Sequence, residues 1–364
     1  MKFIFLAPRY HTNQIGLLKK LIESGHEIKF YVHTIGKTED HSLVKPKVFP
    51  PALITRIFGN GGNTKPLFLP KIAYFFSVIK SQNPDFIVIR DPSRLFSLYS
   101  AVLCRIFFIR IIFYSQRDLS ENISKKRIFF EKIFLFLFNA IWISPIQGNI
   151  EKNKSYHLQY VPFCVDQRFF SNVEKLTGPI RILSIGKMHD RKEHFLLIDA
   201  LLQCVNLDWF LTIVGESSSL EQEKYKEKLI KYIKDLGVDD KVNVSTNIAH
   251  ERITKYYEQS DIFILPAKNE PASISVLEAM ASGLPVICSD SCGTKSYINS
   301  GLNGYIFETS NKNSLSEKIE LLSNRREIGE MGSASQKIAY KKISGNVFLE
   351  YFKKVIFNKW KLNI

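Results

Sequence analysis

The stretch IRILSIGKMHDRKEHFLLIDAL, residues 180–201, holds a complete strand–turn–helix unit. Its opening is a short apolar run of strand length. Gly186 ends the run and permits a tight turn and a close approach by a ligand. Lys187, Arg191 and Lys192 fall in the connecting turn, and HFLLIDAL opens a helical pattern carried by Leu196, Leu197, Ala200 and Leu201. A helix start presents free backbone N–H groups, and cations beside it make such a turn phosphate-seeking. A merely solvated basic turn would have the same composition.

The same alternation runs outward in both directions. On the N-terminal side, KFIFLA (2–7), EIKFYV (27–32), PDFIVIR (84–90), RIIFYS (110–115) and AIWIS (140–144) are buried strands separated by helix-length segments. Residues 36–68, rich in Pro, Gly and Lys, form a long loop. On the C-terminal side the strands are WFLTIVG (209–215), KVNVST (241–246), DIFILP (261–266) and LPVICSD (284–290). Short apolar strands alternating with helices specify parallel sheets built of βα units. The pattern resets after YVPFCVDQRFF (160–170), so the chain divides into two doubly wound α/β domains, 1–165 and 166–344. The tail, 345–364, is an amphipathic helix with Phe348, Tyr351, Phe352, Val355 and Ile356 on one side, expected to pack back on the first domain.

With 364 residues, two domains are also the expectation from length. The five cysteines (104, 164, 204, 288 and 292) have no zinc-like spacing and fit free core thiols in a reducing compartment. The first apolar run is too short for a signal-peptide core, and no run approaches the ~18 residues of a spanning helix. A cytoplasmic protein is therefore expected. Its charge is lopsided: residues 1–170 carry 24 Lys and Arg against 11 Asp and Glu, whereas residues 171–364 carry 26 against 24. The basic half also holds RIFFIRIIFY (105–114) and RIFFEKIFLFLF (127–138). Basic and aromatic residues together fit an anionic membrane surface or a phosphorylated substrate. Nucleic acid has only the charge in its favour, and no reading motif accompanies it.

In open parallel sheets, ligands bind beyond the carboxyl ends of the strands. The loops there include PRYHTN (8–13), RDPS (90–93), SQRD (115–118), GKMHDRK (186–192) and AKNEPAS (267–273). The last leads into SISVLEAMA, a helix with apolar residues on nearly every side and one carboxylate, Glu278. A buried, unpaired carboxylate is costly. Glu278 therefore either pairs within the protein or faces a ligand, and a ribose diol is a natural bidentate partner. Glu270 precedes the same helix, near the amides of Ser273, Ile274 and Ser275, where the helix dipole would draw phosphates.

The string EPASISVLEAMASGLPVICSD (270–290) resembles the signature of the retaining, nucleotide-sugar-dependent glycosyltransferases of family four, with Glu270 and Glu278 matching its E-x7-E motif. SGLNGYIFE (300–308), YVPFCVD (160–166) and IGKMHDRK (185–192) match further segments of that family, and SGHEIKFYV (24–32) matches a frequent N-terminal pattern. The resemblance implies the GT-B fold, in which two Rossmann-like doubly wound domains face each other across a cleft. It implies that Glu278 holds the ribose, that Glu270 orients the transferred sugar, and that Lys187 and Lys192 grip the diphosphate beside Gly186. It implies a nucleotide-diphosphate sugar as donor substrate, no metal and no other cofactor. The acceptor would be a glycan or a lipid-linked molecule in cell-surface polysaccharide synthesis, met at the inner face of the membrane. On the acceptor side, His11, Asn13, Arg90, Asp91, Gln116 and Arg117 are the candidates. The chain departs from the family at Ala272 and Ser273, at Phe163 and Cys164, and at Lys187, which replaces an arginine. It also lacks the N-terminal glycine-rich loop and a histidine near Gln116–Asp118. Those departures keep a non-catalytic sugar-nucleotide or glycan binder as an alternative, with a nucleotide-sugar epimerase behind it. A dinucleotide oxidoreductase is disfavoured, because no strand is followed by G-x-G-x-x-G.

Overall fold

The computed structural model describes residues 1–10, 14–36, 39–53, 55, 69–119, 121, 123–147, 157–171 and 177–364. His11, Asn13 and much of the 36–68 loop lie outside the described residues. The chain divides into two compact units, Met1–Cys164 with Gly345–Ile364, and Val165–Ser344.

The first unit is built on a parallel sheet of seven strands: β1 (Lys2–Arg9), β2 (Glu27–Thr34), β3 (Lys47–Val48), β4 (Phe86–Arg90), β5 (Arg110–Tyr114), β6 (Ala140–Ser144) and β7 (Leu158–Tyr160). Their spatial order is β3-β2-β1-β4-β5-β6-β7. The two-residue β3 lies inside the stretch expected to be loop, and pairs at the sheet edge through Tyr31 opposite Lys47. Side chains alternate along β1, so both sheet faces are buried. Phe3, Phe5 and Ala7 enter one core with the helices Ile15–Glu23 and Gly345–Trp360. Ile4 and Leu6 enter another, with Ile72–Gln82, Leu95–Ile106 and Lys125–Leu137. The C-terminal helix docks through Phe348, Phe352, Val355 and Ile356, while Tyr351 stays exposed.

The second unit has six parallel strands: β8 (Ile180–Lys187), β9 (Trp209–Glu216), β10 (Val242–Thr246), β11 (Ile262–Leu265), β12 (Val286–Ser289) and β13 (Gly304–Phe307). Their order is β10-β9-β8-β11-β12-β13. The last of these, β13, lies in SGLNGYIFE (300–308), a stretch not among the strands expected from the sequence. The strand order reverses between β1 and β4 in the first sheet and between β8 and β11 in the second. At such switch points adjacent loops diverge and leave room for a ligand. The unit's core includes Leu197, Leu201, Leu211, Ile213, Ile264 and Ile287.

All five cysteines are buried and none forms a disulfide. Among the described residues, no helix is long and apolar enough to cross a membrane.

Candidate functional site

The turn after β8 and the loop after β11 meet at the second unit's switch point. After β8 the chain makes a 3-10 turn, Asp190–Lys192, and Glu193 takes a left-handed conformation (φ 49) that starts the helix His194–Gln203. Lys192 is thereby turned inward and buried, and its Nζ donates to Glu270 Oε2 at 2.7 Å. Arg191 Nη2 lies 3.6 Å from the same oxygen. Gly186 is what lets the lysine through: a Cβ there would stand 2.8 Å from Lys192 Cε and 2.9 Å from Cδ. Gly186, the penultimate residue of β8, is thus required by a close approach within the protein.

Glu270 is positioned from the other side by backbone. Its carbonyl accepts from Gly293 N at 2.9 Å, and a Cβ on Gly293 would fall 1.8 Å from the carbonyl oxygen of Pro271. Lys268 N donates to Arg191 O at 2.9 Å, tying the two loops together. A buried Lys–Glu pair seldom outperforms an apolar pair in stability. The pair sits at a switch point, with a second cation, Arg191, beside it.

The helix Ile274–Ala281 starts at this loop. Ser273 caps it in extended conformation, and Ser273 Oγ and Ser275 Oγ lie 2.8 Å apart. Ser275 Oγ donates to Ile185 O at 3.2 Å, which fixes the helix start against the end of β8. Every residue from Ser275 to Ala281 is buried, because the helix packs between the sheet and the helix Arg325–Ile343. Ile274 is half-buried. Gln336 Nε2 donates to Ala281 O, satisfying a carbonyl at the far end.

Glu278 lies on this helix, only 7% exposed. Its Oε2 accepts from Tyr257 Oη at 2.8 Å, and Tyr257 is fully buried, so burial and the adjacent carboxylate push its phenol well above the usual range. Oε1 accepts no hydrogen bond among the described residues; His250 Nε2 stands 3.9 Å away. Arg168 Nη2 contacts the His250 ring in turn, and Phe169 packs edge-on against both His250 and Tyr257. One carboxylate oxygen is therefore held by the protein while the other keeps its acceptor capacity. Tyr257, His250 and Arg168 were not singled out from the sequence. They come from separate elements, and nothing in their local pattern points to Glu278.

The structure does not bring Lys187 to Glu270. Its side chain is half exposed, and Nζ pairs with Glu216 Oε2 at 3.2 Å, on the neighbouring strand β9. Arg191 is instead the cation that joins Lys192 beside Glu270.

In the first unit, Arg90 ends β4 and Asp91 follows it, and Gln116 and Arg117 come just after the adjacent β5. Asp91 has a left-handed backbone (φ 55) and accepts from Ser93 Oγ and from Arg94 Nε at 3.0 Å. Arg90 Nη1 is buried with no hydrogen-bond partner among the described residues, and burial lowers the guanidinium's pKa. Gln116 is half-buried. Arg117 is engaged elsewhere: Nε and Nη1 each donate at 2.8 Å, to Glu121 and Glu131, and its guanidinium lies over Trp142.

Residues 166–341 match the family described as glycosyl transferases group 1. An uncharacterized glycosyltransferase of Haemophilus influenzae is 33% identical over 150 residues, 40% of each chain. Mannosylfructose-phosphate synthase of Agrobacterium fabrum is 29% identical over 149 residues, 37% of this chain and 33% of its own. The matches thus span less than half the length of these curated relatives. Among solved structures, Anabaena Alr3699/HepE in complex with UDP is similar over 98% of this chain and 100% of its own, with a TM-score of 0.75 and 15% identity. With its two parallel-sheet α/β units this chain has the GT-B fold, and its residues 166–341 are similar to the glycosyl transferases group 1.

Proposed function

We propose that the Val165–Ser344 unit binds a nucleotide-diphosphate sugar and that the protein transfers the sugar, with retention, to a glycan or lipid-linked acceptor of a cell-surface polysaccharide. The observation that carries this reading is the pair of buried carboxylates at one helix. Glu270 precedes Ile274–Ala281 and is paired to Lys192, whereas Glu278 lies within it with one oxygen uncommitted. A ribose diol would donate to Glu278 Oε1. The diphosphate would lie at the helix start, on the amides of Ser273, Ile274 and Ser275, with Lys192 and Arg191 beside it. Lys187 would join them by exchanging Glu216 for phosphate. Once Lys192 turns to the phosphates, Glu270 is released to orient the sugar's hydroxyls. Charge growing on the departing diphosphate is then met by fixed cations and amides, with no metal assigned a role, and such stabilisation is usually the largest catalytic contribution. The acceptor would be met at an anionic membrane surface on its cytoplasmic side, for which the basic first unit is the support. The first unit's Arg90 and Asp91 remain acceptor-side candidates.

Calorimetric titration of UDP, GDP, ADP and CMP into wild type and Glu278→Ala tests the reading, and UDP is the first choice because HepE was solved with it. Losing a hydrogen bond to a charged group costs about 1.5–3 kcal/mol. One nucleotide should bind the wild type and bind the variant roughly 10- to 150-fold more weakly. Equal affinity in the two proteins would sink the ribose assignment.

A further inference from the structure

Two neighbouring helices of the first unit carry apolar stripes turned to solvent. On Leu95–Ile106 these are Leu95, Leu98, Val102 and Ile106. On Lys125–Leu137 they are Phe129, Phe130, Ile133, Phe136 and Leu137, with Phe136 80% exposed. Leu135 is the one buried residue of that second helix. Both helices pack on the same sheet face, and Arg105 Nε donates to Leu137 O at 2.9 Å, joining their C-terminal ends. Phe108, 81% exposed, stands beside that junction with Arg105 over its ring. The stripes therefore form one surface. Spacings of three, four and seven residues align each stripe along its helix, so the exposure is a patterned face and not a scatter of single residues.

The charges around this face have one sign. Lys125, Lys126 and Lys132 are exposed, and seven residues of separation put Lys125 and Lys132 on the same flank of the Phe136 stripe. The nearby acids are already neutralised: Glu131 is bound by Arg117, Arg127 and His157, and Glu121 by Arg117. An aromatic-rich stripe flanked by lysines that meet no carboxylate among the described residues suits the boundary between lipid headgroups and acyl chains, where rings enter and ammonium groups remain among phosphates. We infer that this face, centred on Phe129, Phe130, Ile133 and Phe136 with Lys125, Lys126 and Lys132 around it, lies on an anionic lipid bilayer. The inference rests on the membrane part of the proposed function and gives it a surface; it is independent of the donor site.

The test is co-sedimentation of the full chain with vesicles of phosphatidylcholine alone and of phosphatidylcholine with phosphatidylglycerol. Wild type should bind the anionic vesicles, more weakly at high salt, and bind the neutral ones little. Phe130→Ser/Phe136→Ser should weaken binding by more than about tenfold, and Lys125→Glu/Lys126→Glu should do the same while abolishing the salt dependence. Both pairs are solvent-exposed, so unchanged melting temperatures are expected and serve as the folding control. Undiminished binding in the Phe pair would overturn the inference. So would equal binding to both vesicle types, or concentration-dependent dimerisation that the Phe pair abolishes in a protein that ignores vesicles. Nucleotide titration of the Phe pair separates the two proposals: intact nucleotide binding with lost vesicle binding supports both. Vesicle binding in a chain that binds no nucleotide would leave this inference standing and remove the donor reading.

Discussion

Replacing Lys192 with Met is the sharpest test of the site's electrostatics. The change keeps the length of the side chain and removes the ammonium that donates to Glu270 at 2.7 Å. The two side chains are 9% and 11% exposed, so the carboxylate left behind is almost fully desolvated. Breaking a buried pair by removing one partner costs about 3–5 kcal/mol. Arg191 remains at 3.6 Å but is 46% exposed, and a pair screened to that extent returns less than about 1 kcal/mol. The expected loss is therefore about 3 kcal/mol, at the lower end of the range, or roughly 6–12 °C in the melting of a unit of this size. Glu270→Gln should cost less, because an amide oxygen can still accept from Lys192. The double variant should be less destabilised than the two singles summed, with a coupling of about 2 kcal/mol. Urea unfolding of all four proteins measures this. A Lys192→Met protein within about 0.5 kcal/mol of wild type, with no coupling to Glu270, would refute the buried pair and the reasoning built on it. In a transfer assay the same variant should lose roughly 100- to 1,000-fold in turnover, the usual effect of removing one group that stabilises a departing anion.

Gly293→Ala should destabilise the second unit by more than about 2 kcal/mol and weaken nucleotide binding as well, since its Cβ would fall 1.8 Å from Pro271 O in the loop that carries Glu270. An unaltered melting temperature would show that this loop moves freely. Stability should also depend on pH through His194, which burial, with Lys192 nearby, lowers from 6.5 to about 3. The unfolded chain binds that proton first, so stability is full above about pH 6.5 and falls as pH drops toward about 3, by up to about 1.4 kcal/mol per pH unit. His194→Gln, which can still bond Tyr225, should flatten that slope in acid unfolding. An unchanged slope would mean that His194 titrates normally.

Much of the fold was legible because its cause is local. An apolar run bounded by Gly, Pro or a charge needs no distant partner to declare itself a strand, and AIWIS at 140–144 became β6 with those limits. The misses were β3, β7 and β13, of two, three and four residues. Strands that short gain their stability from the neighbour they pair with, so their own residues carry little signal. The two glutamates stood out for a similar reason, as carboxylates in or beside a segment otherwise built for burial.

What those carboxylates touch was settled only in three dimensions. Lys187 and Lys192 share one turn and one charge, yet the first pairs with Glu216 and the second with Glu270. The difference is the 3-10 turn between them, which points one side chain along the sheet and the other across Gly186. Tyr257 reaches Glu278 from 21 positions away, at a separation that sequence periodicity cannot register. The helix Lys125–Leu137 has apolar residues on opposite sides, and only the packing of Phe134, Leu135 and Phe138 against the sheet decides that Phe129, Phe130 and Phe136 are left outside. The sequence by itself determined the alternating strands and the two-domain division, and singled out the carboxylates and cations that make a candidate site, because each follows from hydrophobic period and residue chemistry along the chain. The tertiary structure alone decided which cation meets which carboxylate and which apolar face meets water, because those depend on the strand order that brings distant loops and helices side by side.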